Sequence, residues 1–117
     1  MKPLFLCYPK CSICQKAQKW LDENNIEYTN RMIVRNNPTV AELKKWIPMS
    51  GLPLKRFFNT SGLVYKELGL KEKLPTMSEE EQIQILSTNG KLVKRPLVVT
   101  NKTVLVGFKE QEWEILK

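Results

Sequence analysis

Apolar and polar positions change their period along this chain, and each change marks an element. Leu4-Phe5-Leu6-Cys7 is a short continuous apolar run. Such a run fits a strand covered on both faces, and it predicts a first strand over residues 2–7. Behind it Ala17, Trp20 and Leu21 recur at i, i+3 and i+4, which predicts a helix over residues 12–24 closed by Asn24-Asn25. A second strand is expected over residues 28–34, followed by a turn at Arg35-Asn36-Asn37-Pro38. Thr39-Val40-Ala41-Glu42 reads as a capping box, so a helix starts there, runs to about Ile47 and is stopped by Pro48 and Gly51. Short helical pieces are expected over residues 54–58 and 64–69, broken by Asn59-Thr60-Ser61-Gly62. Ser78-Glu79-Glu80-Glu81 is a second capping box, opening a helix to about Ser87 that Asn89-Gly90 ends. A β-rich run over residues 94–100 is entered through Pro96, turns at Asn101-Lys102 and returns over residues 103–107. A final helix is expected over residues 109–116, and Trp20, Trp46 and Trp113 fall at core-facing spacings.

The order is therefore β-α-β, then helices, then β-β-α. This predicts an α/β protein with a thioredoxin-like fold and a helical insertion between its two halves. The expectation is one domain over residues 1–117, with the insertion at roughly 39–88. A chain of 117 residues is long enough for one core without staples.

Composition changes this picture in four places. No apolar run nears the length of a membrane span, and the N-terminus does not read as a signal peptide. The net charge of +7 is spread along the chain without an aromatic-interleaved basic run, so it reads as solvated surface with no direct nucleic-acid contact. Histidine is absent, which removes Cys/His and Ser/His catalysis and histidine metal ligation. Three cysteines are an odd number and fit a reducing, cytoplasmic setting, where a CxxC is catalytic, redox-sensing or metal-binding. Zinc on Cys7, Cys11 and Cys14 would lack a fourth Cys or His ligand, so no metal is expected.

The candidate chemistry lies in Tyr8-Pro9-Lys10-Cys11-Ser12-Ile13-Cys14. This reads as strand, sharp loop, helix start, with Cys11 at the helix N-terminus. Unpaired N–H groups and the positive end of the helix dipole favour a thiolate there, and Lys10 and Lys16 add positive potential. Cys14 lies about one turn on, placed to attack an adduct on Cys11 and close a redox-active disulfide. Cys7, inside the apolar run, reads as a core thiol.

Several motifs together resemble the arsenate reductase-like (ArsC/Spx) family of thioredoxin-fold proteins. They are Pro9-x-Cys11-x-x-Cys14 with Lys16-Ala17 and Trp20-Leu21 behind it, and Asn37-Pro38. The others are Tyr65-x-x-Leu68-Gly69-Leu70, Arg95-Pro96 and Val106-Gly107-Phe108. The stretch from Leu54 to Gly62 is similar to an uncharacterised CxxC branch rather than to classical arsenate reductases or Spx-type regulators. The resemblance implies a nucleophilic cysteine at Cys11 and a cis proline at Pro96 lying against the cysteines. It also implies that Arg95 faces Cys11, as one of the family's three oxyanion-holding arginines. Asn59 stands at the second arginine position with Arg56 one turn before it, and Gly107 stands at the third with Lys109 nearby.

Two functions follow as expectations. The first is a thiol-dependent oxidoreductase. Cys11, Cys14 and Arg95 carry the chemistry, and Lys10, Arg56, Asn59 and Pro96 bind substrate. It uses no cofactor and is recycled by glutathione or thioredoxin as external reductant. The second is an Spx-type redox sensor that presents a changed surface to the RNA polymerase α subunit, at its C-terminal domain. Gly51 lies near the position where those regulators touch the polymerase, but its neighbours Ser50 and Leu52-Pro53 favour a helix-terminating role.

Overall fold

A computed structural model describes residues 2–117 of the chain. Four strands form one sheet in the order β2-β1-β3-β4: β1 (Leu4–Cys7), β2 (Thr29–Met32), β3 (Leu97–Val99) and β4 (Val104–Val106). β1 runs parallel to β2 and antiparallel to β3, and β3 and β4 form an antiparallel hairpin. The composition of each strand follows from its place. β1 and β3 are central and covered on both faces, so they are apolar throughout. β2 is an edge strand, and its Thr29-Asn30-Arg31-Met32 has polar, exposed positions.

The strand pleat sorts the core into two layers. Phe5, Cys7, Val98 and Leu105 point to one face, where α1 (Ser12–Glu23) covers them with Cys14, Ala17, Trp20 and Leu21. Trp113 of the C-terminal helix α6 (Glu110–Trp113) joins them, stacking edge-on to Phe5, Trp20 and Phe108. Leu6, Leu97, Val99, Val104 and Val106 point to the other face, under α2 (Val40–Ser50), α5 (Glu79–Leu86) and the short pieces between them. The mixed four-stranded sheet with helices on both faces is the thioredoxin-like architecture read from the element order.

Helix ends follow local chemistry. α1 closes in a Schellman arrangement: Asn25, at φ 55, takes the left-handed position, and the Ile26 N–H reaches the Leu21 carbonyl at 3.0 Å. Thr39 with Glu42 and Ser78 with Glu81 both form complete capping boxes. α2 runs three residues past the expected Ile47, to Ser50. Pro48 lies in its last turn, where it forfeits one helical bond without ending the helix, and Gly51 at φ 69 supplies the left-handed stop.

The middle of the chain holds a 3-10 turn (Leu54–Phe57), α3 (Leu63–Glu67), α4 (Leu70–Lys73) and a second 3-10 turn (Leu74–Thr76). The pieces from Leu70 to Thr76, and a further 3-10 turn at Gly90–Leu92, carry no period long enough to read in advance.

Candidate redox site

The loop before α1 is a β-turn in which the Cys11 N–H donates to the Tyr8 carbonyl at 2.9 Å, with Pro9 at the position that prefers its fixed φ. The Gln15 side chain donates to the Pro9 carbonyl at 2.7 Å and ties the loop to the helix. Cys11 is the N-cap residue of α1 and makes no side-chain cap bond, so its sulfur is not used in holding the helix. It is half-buried, at the end of a helix whose dipole favours negative charge.

Cys14 lies on the inner face of the first turn and is only 2% exposed. The backbone N–H of Tyr8 donates to its sulfur at 3.3 Å. Hydrogen bonding to Cys7 and burial push the Cys14 thiol far above its ordinary range, so at neutral pH it is a thiol. The same contact pulls Cys7 down, against its burial. All three cysteines carry free thiols.

Arg95 reaches this region from the segment before β3, and the Arg95–Pro96 peptide is cis. Its guanidinium lies 5.2 Å above the Tyr8 ring, and Lys91 lies 5.9 Å from the same ring. One terminal nitrogen of Arg95 donates to the Lys91 carbonyl at 3.2 Å, while its Nε is buried without a partner. A guanidinium N–H left unpaired in this way calls for an acceptor.

A short backbone ladder brings the other cations to it. Phe58 bridges Val93, the Lys94 N–H donates to the Phe57 carbonyl at 2.7 Å, and the Asn59 N–H donates to the Leu92 carbonyl at 2.8 Å. On one side of Arg95 this opens a groove of about 220 Å³ whose wall includes Ile13, Arg56, Lys94, Gly107, Phe108 and Lys109. Its charged lining is entirely positive. On the other side, Asn59 shares a cleft with Arg95, Tyr8 and Leu63. The Gly107 N–H donates to the Pro96 carbonyl at 2.9 Å, and Gly107 sits at φ 76, a backbone that favours glycine over arginine.

Of the residues predicted for the site, Arg56 and Arg95 share the groove, Asn59 shares the cleft, and Pro96 is bonded to the groove wall. Lys10 is exposed in the loop and lines neither hollow. Tyr8 and Phe108 stand in the quoted motifs without a site role of their own, and Lys91 stands in none. Tyr8 stands next to the cysteine loop and was the one with a local signal; Lys91 and Phe108 reach the site only through tertiary packing.

Comparisons with known proteins bear on the family and the fold. The ArsC family profile matches residues 6–116. The chain is 50% identical over 114 residues to the YusI protein of Bacillus subtilis, covering 97% of each. It is 30% identical over 104 residues to the global transcriptional regulator Spx of Staphylococcus aureus, covering 89% of this chain and 78% of Spx. The crystal structure of an ArsC family related protein from Bacteroides fragilis superposes with a TM-score of 0.98 at 76% identity, covering 100% of this chain and 98% of that one.

Proposed function

From the premise that the chain belongs to the ArsC family, whose relatives include arsenate reductase-like and Spx-like proteins, we propose that it is a thiol-dependent oxidoreductase acting on anionic oxidised sulfur compounds. The observation that carries this reading is a half-buried Cys11 at a helix start, over a buried Cys14, on the helix turn whose Ile13 lines a groove with Arg56, Lys94, Arg95 and Lys109. The Cys11 thiolate attacks a disulfide or mixed disulfide of an anionic thiol, and the first thiol leaves. Cys14 then gives up its proton and attacks the Cys11 sulfur, which releases the second thiol and closes the Cys11–Cys14 disulfide. Glutathione or thioredoxin returns the pair to the dithiol.

Arg95 holds the substrate anion through its guanidinium, with Arg56 and Lys109 adding charge and Asn59 a polar contact across the cleft. Pro96, buried and bonded to Gly107, sets the groove wall against which substrate lies, and Lys10 steers anions from the loop. Only Arg95 keeps a family arginine position. Asn59 and Gly107 stand at the other two, so a disulfide suits the site better than arsenate.

A coupled NADPH assay tests this, with the glutathione and thioredoxin systems in turn and with arsenate and a small mixed disulfide as substrates. Mixed-disulfide turnover that disappears in Cys11→Ser supports the reading. Turnover unchanged by that substitution ends it.

The likeness to Spx favours a second reading, a redox-switched protein binding the RNA polymerase α C-terminal domain. Gly51 argues against it at that position, because its left-handed φ already explains the glycine. A pull-down with the oxidised and reduced protein decides: no redox-dependent capture removes this alternative.

A further inference from the structure

The chemistry above uses Cys11 and Cys14 and leaves a third thiol idle. Cys7 is the last residue of β1, and the pleat turns it, with Phe5, toward the face that α1 covers. Cys14 packs into the same cluster, and Cys11 lies against its edge. The thiols therefore run inward from the half-buried Cys11 to Cys14 at 2% exposure and Cys7 at 5%. Cys14 is the common member: it shares a cluster with Cys7, Cys11 packs against that cluster, and the N–H of Tyr8, next in the chain to Cys7, donates to the Cys14 sulfur at 3.3 Å. Beyond Cys7, on the edge strand β2, the Asn30 Oδ1 accepts from the Cys7 sulfur at 3.4 Å. A thiol serving only to fill the core would need no amide partner.

We propose that Cys7 is a third redox thiol, which attacks the Cys14 sulfur of the Cys11–Cys14 disulfide and moves the bond inward to Cys7–Cys14. This rests on the reading of Cys11 and Cys14 given above. In the step Cys7 loses its proton and bonds to the Cys14 sulfur. The Cys11–Cys14 bond breaks, its electron pair leaves with Cys11, and Cys11 takes up a proton. No electrons enter or leave. The two-electron oxidation delivered by the disulfide substrate stays in the protein and changes place.

Thiol–disulfide exchange needs the attacked sulfur within reach of both the attacking and the leaving one, and Cys14, in one cluster with Cys7 and one turn from Cys11, meets that need. The Asn30 amide accepts from the Cys7 thiol and, turned over, donates to its thiolate. The contact with Cys14 favours that thiolate as well. The outcome is a protein that stores an oxidised pair in its core while Cys11 is again free at the surface for a second encounter.

Trypsin separates the two disulfides, because cleavage after Lys10 and Lys16 places Cys7 on residues 1–10 and Cys11 with Cys14 on residues 11–16. Native protein is oxidised with diamide, blocked with N-ethylmaleimide, digested and mapped by mass spectrometry. The wild type is expected to give peptide 11–16 two hydrogens lighter. It is also expected to give a second species in which residues 1–10 are joined through Cys14, with maleimide on Cys11. Cys11→Ser is expected to lose the joined species together with the lighter peptide, because no Cys11–Cys14 disulfide forms for Cys7 to attack, and a joined species that persists in that variant overturns the relay. A wild type with only the lighter peptide overturns the relay and leaves the Cys11–Cys14 reading standing. A join through Cys11 in place of Cys14 also overturns the relay, and no disulfide of either kind overturns both.

Discussion

The backbone N–H of Tyr8 donates to the sulfur of Cys14 at 3.3 Å, across the turn that carries Cys11. The contact holds Cys14 beneath the loop, where Cys7 and burial keep it protonated. Thiolate, not thiol, reacts with alkylating agents, and burial blocks their approach. Brief treatment of the native protein with iodoacetamide should therefore label Cys11 first. Cys14 and Cys7 should react at least about tenfold more slowly, and denaturation should abolish the difference. Peptide mapping over time checks this, and equal native rates would contradict it.

Arg95 stacks on Tyr8 and keeps one buried Nε–H without a partner. A hydrogen bond to a charged group contributes about 1.5–3 kcal/mol, and each 1.4 kcal/mol is tenfold in rate. Arg95→Ala should lower kcat/KM for an anionic disulfide by roughly 10- to 100-fold. Arg95→Lys should recover only part of that, because a lysine cannot offer the guanidinium fork. An uncharged disulfide should be much less affected, and equal losses for both substrates would place Arg95 outside substrate binding.

Arg31 on β2 forms two bonds to Glu42 of α2, at 2.6 and 2.8 Å, while Glu42 also caps Thr39. The side chains are 20% and 30% exposed, between a surface pair and a buried one. Glu42→Gln should cost about 1–2 kcal/mol at neutral pH, read from urea unfolding. The bond from Arg31 holds the Glu42 carboxyl below its ordinary value of 4.5, so the folded chain keeps the charge more readily than the unfolded one. Its contribution is complete above the unfolded value. It starts to fall near pH 4.5 and is gone only once pH has dropped through the depressed folded value. The acid limb of the stability curve should be flatter in Glu42→Gln.

Gly90 is buried, and a Cβ there would overlap the Ile33 carbonyl oxygen and crowd the Val34 backbone just beyond β2. These are main-chain atoms that cannot swing away. Gly90→Ala should destabilise by more than about 3 kcal/mol, whereas Gly51→Ala, with open space around its Cβ, meets only the left-handed backbone and should cost about 1 kcal/mol. Thermal unfolding of the two variants side by side checks the contrast.

What the chain announces by itself is local. The run Leu4-Phe5-Leu6-Cys7, the caps at Thr39 and Ser78, the Asn24-Asn25 stop and the CxxC at a helix start all depend on neighbours within about six residues, and each was found where it was expected. The element order carried the fold because right-handed β-α-β and hairpin connections leave few arrangements. The helix through Pro48 and the turns over 70–76 and 90–92 were not legible, since packing decides short pieces that propensity does not.

The site was half legible for the same reason. Cys11 and Cys14 lie one turn apart, so spacing alone brings them together. Cys7 meets Cys14 only because α1 folds back over the pleat of β1, and Arg56 meets Arg95 only because residues 57–59 pair with 92–94. Contacts between distant segments come from sheet register and side-chain packing, and no local pattern encodes them.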